Sequence, residues 1–320
     1  MTRTPHERLL GIAAVLVAAI LWGTTGTAAT FAPEVSAVAI GAAAMGGGGL
    51  MQAALSAGRI RRHAAALRAQ WQYLLPGAVA VAIYPLAFYA SMRLAGVTIG
   101  TVVSIGSAPL LSALIETRLD GLRLTRRWMI GAGLGLAGML LLCLAEGSGQ
   151  VPTGTASGVI PGVLLGLVAG LAYALYSWTA RRLMQRGIAS RAAMGATFGI
   201  GGLLLMPVLL ATGAPLLASW GNASVGLYMA LVPMFVGYLC FGHGLARIPA
   251  STATTITLFE PVVAAGLAVV IVGERLPAMG WAGILLILAC LVCISAPIRT
   301  GKREASVAVP GAEASPDTRS

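Results

Sequence analysis

Glu260 stands inside the apolar run near residues 250–273, directly before Pro261. An ionised carboxylate deep in an apolar segment is expensive, so such an acid is a functional candidate by default. It can hold and release a proton or contact a cationic group. It can equally be paired, merely locking helices together. Pro261 has no backbone N–H and frees a carbonyl one turn back, around Thr257, which could face a cavity. Pro109, in an earlier run, is a second candidate helix kink. His243, within Phe241-Gly242-His243-Gly244-Leu245, could relay protons or bind a substrate carboxylate, or it could pack as a hydrogen-bonded residue near the cytoplasmic end of its helix. Glu116, just short of Arg118, is expected to be interfacial and solvated.

Polar and aromatic residues recur in the same runs. Trp22, Thr24, Thr25, Tyr84, Tyr89, Tyr173 and Tyr176 could form an aromatic wall with a few polar groups, which suits a small organic ligand. Tyr and Trp also collect at membrane interfaces with no ligand. Trp178, near Arg181 and Arg182, reads as such an interface residue, whereas Tyr84 beside Pro85 reads as deeper. No H-E-x-x-H, G-x-S-x-G or G-x-x-x-x-G-K-[ST] motif is present, so no zinc hydrolase, serine nucleophile or phosphate-cradling loop is indicated. Cys143, Cys240, Cys290 and Cys293 lie in apolar runs and read as small buried hydrophobes rather than disulfide or metal ligands. No cofactor is expected.

Elements able to hold these residues follow from composition. Of 320 residues, 58% are hydrophobic and only 10% charged. Soluble domains carry roughly 25% charged residues. A bilayer must therefore solvate the outer surface, and helices of about 20 residues satisfy their own backbone there. Apolar runs fall near 9–29, 35–56, 72–93, 97–117, 128–146, 158–180, 192–211, 223–246, 250–273 and 277–297. The expectation is an all-α membrane protein with about ten transmembrane helices. The first run, although preceded by Arg3 and Arg8, reads as a true span rather than a cleaved signal. Residues 298–320 read as a disordered tail.

The net charge of +11 does not point to nucleic acid, because the basic residues are scattered over short loops. With the N-terminus in the cytoplasm, Arg59, Arg61, Arg62, Arg68, Arg118, Arg123, Arg126, Arg127, Arg181, Arg182, Arg186, Arg191 and Arg247 all fall inside, while Arg93 and Arg275 fall outside. That is the positive-inside pattern of an inner (cell) membrane protein with both termini cytoplasmic.

The chain also matches itself at a shift of about 152 residues. Ser107 to Leu114, with Pro109, meets Leu258 to Gly266, with Pro261. Gly121-Leu122-Arg123-Leu124 meets Gly273-Glu274-Arg275-Leu276, and Gly131 meets Gly283. Residues 1–150 and 151–297 thus read as two five-helix repeats. Five is odd, so the second is inverted in the membrane, an arrangement that places a binding site between the halves. Glycines at 158, 162, 166 and 170 form a ridge for close helix packing. Gly46 to Gly49 suit either a tight crossing or a hinge, and Glu274 and Arg275 should cap the outer end of the ninth helix.

Several phrases resemble the EamA branch of the drug/metabolite transporter superfamily. They are Leu21 to Thr25 (L-W-G-T-T), Phe88 to Val103, Leu258 to Ala265 (L-F-E-P-V-V-A-A) and Gly273 to Pro277 (G-E-R-L-P). The first half departs from the pattern, with Leu122 where the family usually has Glu in G-E-R-L, although Asp120 lies two residues earlier. The resemblance implies a secondary transporter of small metabolites, amino acids or drug-like compounds, often an exporter, working by alternating access. With no nucleotide-binding loop, a proton gradient or exchange is the expected drive. The implied partners are a small-molecule substrate and the lipid bilayer, and a homodimer stays open. The competing reading is a non-transporting membrane receptor or assembly factor, against which the shortness of the loops counts.

Overall fold

In a computed structural model, residues 5–147, 156–272 and 275–295 are described, and these are helical throughout apart from short connections. Among the described residues, ten helices are long and apolar enough to cross a membrane. They are α1 (Pro5–Ala29), α2 (Ala37–Arg62), α3 (Trp71–Ala95), α4 (Val97–Leu119), α5 (Arg126–Ala145), α6 (Val159–Gln185), α7 (Ser190–Thr212), α8 (Trp220–Leu245), α9 (Ala250–Ile271) and α10 (Ala278–Ser295). The chain is an all-α multi-pass membrane protein. Leu164, Leu203, Leu210, Leu285 and Val292 are exposed on its outside. Such a surface suits lipid and not water. The tail 298–320 and Glu274 lie outside the described residues.

The helix ends follow local chemistry. The Ser36 hydroxyl accepts from the Ala39 N–H at 3.2 Å to open α2, and Ser219 accepts from Asn222 at 3.1 Å to open α8. α6 closes where Gly187 adopts a φ of +85°. Its N–H reaches the Met184 carbonyl, and the Ile188 N–H reaches that of Leu183, a pairing that satisfies the last carbonyls and is open mainly to glycine. Both ends of the bundle stay close: Arg8 of α1 donates to the Ile294 carbonyl of α10 at 2.8 Å. The start of α1 and the end of α10 therefore lie on one face.

Helix contacts obey a pseudo-twofold rule. α1 packs on α8 and α6 on α3; α4 packs on α6 and α9 on α1. Each pair becomes the other when helices 1–5 are exchanged with 6–10. The α2–α7 and α5–α10 pairs map onto themselves. This is the symmetry of two inverted five-helix repeats. Small residues permit the approach. A Cβ at Gly162 would come within 2.6 Å of Ala95, and one at Gly166 within 2.9 Å of Ser91.

Gly46 to Gly49 prove to be a crossing. Gly46 meets Gly202 of α7, and Gly49 lies so close to the Phe198 carbonyl that any Cβ would overlap it. Gly49→Val is therefore expected to push α2 off α7 at a cost of roughly 1–3 kcal/mol. Thermal unfolding in detergent would register this as a lower midpoint, and an unchanged midpoint would mean that the crossing has slack.

Candidate functional site

α9 is not one continuous α-helix. It runs as α over Ala250–Ile256, tightens to a 3₁₀ turn at Thr257–Phe259, and resumes α at Glu260–Leu267. The cause is Pro261, which can supply no N–H to the preceding turn. At Pro109 the α pattern of α4 is unbroken from Val97 to Leu119. The break thus belongs to one repeat only. By the sequence register Glu260 corresponds to Ala108, a buried residue, so the acid too belongs to one repeat.

The break presents Glu260 to a cavity of about 60 Å³ at the seam of the two repeats. Trp22 and Thr25 of α1, Tyr84, Phe88 and Tyr89 of α3, Tyr173 and Tyr176 of α6, and Tyr238 of α8 line it with Glu260. Its volume admits a few water-sized groups and no metabolite. Glu260 is half-buried, and among the described residues it accepts no hydrogen bond and meets no cation. α1 can approach the acid because Gly23 has no side chain: a Cβ there would lie 2.8 Å from the Glu260 carbonyl.

The aromatic walls are themselves tied down. Tyr173 donates to the Thr257 hydroxyl at 2.9 Å, directly beside the 3₁₀ turn, and Thr257 in turn donates to the Thr254 carbonyl at 2.9 Å. The Tyr176 and Tyr238 hydroxyls are 2.8 Å apart. The Trp22 indole donates to the Pro233 carbonyl at 2.8 Å, inside a π-helical stretch of α8 at Ala230–Val236. π-turns interrupt the regular ladder and recur at functional sites. Trp22 and Tyr238 meet at a tilt with centroids 4.7 Å apart, Tyr173 and Tyr176 stack at 5.2 Å, and Tyr84 stands 5.6 Å from Tyr173.

Of the residues singled out from sequence, Glu260, Trp22, Thr25, Tyr84, Tyr89, Tyr173 and Tyr176 meet here. Thr24 faces a separate crevice, where its hydroxyl is 2.8 Å from that of Tyr228. His243 is not brought to the cavity. It is exposed on the outside of α8, in that helix's last turn, and makes no side-chain hydrogen bond among the described residues. Tyr238 escaped notice in the sequence, although its neighbours Pro233 and Gly237 mark irregular, closely packed backbone.

Two expectations are corrected at the arginine-rich end. Glu116 is not solvated: it is 2% exposed. Its carboxylate accepts from the Ala250 N–H at 2.7 Å, the Ser251 N–H at 3.0 Å and the Ser251 hydroxyl at 2.5 Å, capping the first turn of α9. The Arg181 guanidinium lies 3.8 Å away and donates to the Leu245 and Ile248 carbonyls at the end of α8. Trp178 is not an interface residue either. It is buried, its indole donates to Asp120 at 3.1 Å, and Asp120 pairs with Arg182 at 2.5 Å. Both acids of α4 thus tie the first repeat to the second. Between them and the cavity lie the fully buried Phe241, Leu245 and Ile256, so this end of the seam is shut.

The comparisons with known proteins converge. The model of the EamA-like transporter family matches twice, at residues 9–144 and 160–296. An uncharacterized transporter, YwfM, of Bacillus subtilis is 33% identical over 90% of this chain and 94% of its own. A probable terminal-alkyne amino-acid exporter of Streptantibioticus cattleyicolor is 26% identical over 63% of this chain and 65% of its own. A protein of known crystal structure shares the fold, with a TM-score of 0.72 at 20% identity over 88% of this chain and 95% of that one.

Proposed function

Because the chain belongs to the EamA-like transporter family, we propose that it is a secondary active transporter of small organic molecules working by alternating access between its two repeats. The observation that carries this reading is Glu260: a carboxylate without a partner among the described residues, facing an aromatic cavity where both repeats meet. A rigid-body rock of residues 1–150 against 151–297 would widen that cavity and present it to one face at a time. Its present volume fits a contracted state closed at the arginine-rich end. Glu260 would then exchange a proton for a cationic group of the cargo, coupling flux to a proton gradient or to exchange. Aromatic walls supply apolar area, and the tyrosine hydroxyls supply orientation.

Export is favoured by the relative named as an amino-acid exporter. The excess of arginine on one face supports a cell-membrane protein with that face, and both chain ends, in the cytoplasm.

Reconstituted into liposomes and driven by a pH gradient, the protein is expected to move at least one member of a panel of amino acids and organic cations, with protons moving alongside. Single cysteines along α9, in a cysteine-free background, should change reactivity from each side as cargo and pH change. Labelling that stays the same from both sides under every condition, with no flux above empty liposomes, would favour a static receptor or scaffold.

A further inference from the structure

A second cavity, of about 550 Å³, opens at the arginine-rich face, well apart from Glu260. Arg8 of α1, Arg123 and Arg127 around the start of α5, and Arg247 after α8 line it, with Trp128 and Ser251. Among the described residues no Asp or Glu lines it. Its basic side chains are partly preorganised. Arg8 and Arg127 donate to one and the same oxygen, the Ile294 carbonyl, at 2.8 Å and 3.0 Å. Two guanidiniums held on one acceptor repel each other, and an anion placed between them relieves that repulsion. Arg247 is held by the His243 carbonyl at 2.9 Å. The Trp128 indole N–H is buried and has no partner among the described residues, which leaves a neutral donor in the same wall.

The four arginines come from three separate parts of the chain, so loop chemistry alone does not explain their convergence. Arginine forks match the oxygens of a phosphate better than those of a monatomic anion. We propose that this cavity is a binding site for a phosphate-bearing anion, either the headgroup of an anionic phospholipid or a soluble phosphate. Basic pockets among helix ends on one membrane face suit such headgroups. The occupant would touch α1 and α5 of one repeat and the α8–α9 turn of the other. It would therefore join the two repeats on this face, in addition to the ties made by Glu116 and Asp120. The site does not depend on the transport reading.

The test uses the delipidated full chain in neutral detergent, with wild type compared against an Arg123→Gln/Arg247→Gln double variant. Neither substitution touches the Ile294 carbonyl, and monodisperse elution checks the fold. One arm titrates inorganic phosphate at constant ionic strength, with chloride as the control. The other adds cardiolipin or phosphatidylglycerol, with phosphatidylcholine as the control, and reads bound lipid by native mass spectrometry. Saturable binding in either arm, weakened about tenfold or more in the variant, supports the site and names its source. Binding in neither arm, or equal binding by both proteins, overturns it.

Discussion

Glu116→Ala is expected to destabilise the protein by ~3–5 kcal/mol, the range for removing one partner from a buried charged network. The substitution leaves the Ala250 and Ser251 N–H groups without their acceptor in a fully buried place. Each orphaned donor costs about 1–3 kcal/mol. It also takes from Arg181, which is 14% exposed, a carboxylate 3.8 Å away. Arg181 keeps the Leu245 and Ile248 carbonyls, so part of its charge stays compensated. Glu116→Gln should cost less, because the amide retains one carbonyl oxygen for the α9 N–H groups. The order expected for thermal midpoints in detergent is wild type, then Gln, then Ala. A cysteine placed at Thr254 or Thr255, buried in the wild type, should gain reactivity in the Ala variant, because the latch that shuts this end has been cut. Equal midpoints for all three proteins would mean that α9 is held by other means.

The helices were legible for a simple reason. Each span must be apolar along its whole length, so local composition alone marks it. The run read at 97–117 and the helix Val97–Leu119 differ by two residues at one end. The seam was legible to the extent that its residues announce themselves locally, as Glu260 beside Pro261 does, and as the tyrosines of α6 do. Glu116 gave the wrong signal because its position near Arg118 describes the chain and not the space around it. Its partners lie 134 and 135 residues away, at the start of another helix. Trp178 misled for the same reason: closeness to Arg181 and Arg182 suggested a headgroup level, while Asp120 of α4 supplies the acceptor that buries it. His243 shows what a run cannot tell: in a helix of period 3.6, the sequence alone does not say whether a polar residue faces the seam or the outside, and here it is exposed.

Glu260→Gln is expected to separate function from stability. A carboxylate that only held helices together would need partners, and its loss would lower the melting point. Among the described residues Glu260 has none, while its neighbours Tyr84, Tyr89 and Tyr173 are phenols with no positive charge to offer. An unpaired acid inside a membrane is a cost carried by the fold, so removing its charge should leave the melting point unchanged or raise it. Glutamine keeps the shape of the site and the contact with Gly23, so the cavity should persist. It cannot take up or release a proton, nor oppose a cation with full charge. Flux driven by a pH gradient should therefore fall at least about tenfold, which corresponds to ~1.4 kcal/mol or more. Cargo-for-cargo exchange should weaken too if the carboxylate contacts a cationic group directly, and should survive if it serves only the proton. A variant that melts earlier yet transports as well as the wild type would make Glu260 structural, and the coupling group would then have to be sought among the tyrosine hydroxyls of the same cavity. The expected pair of results, lost coupling with retained stability, follows from one observation: among the described residues Glu260 makes no hydrogen bond or ion pair that the fold would lose.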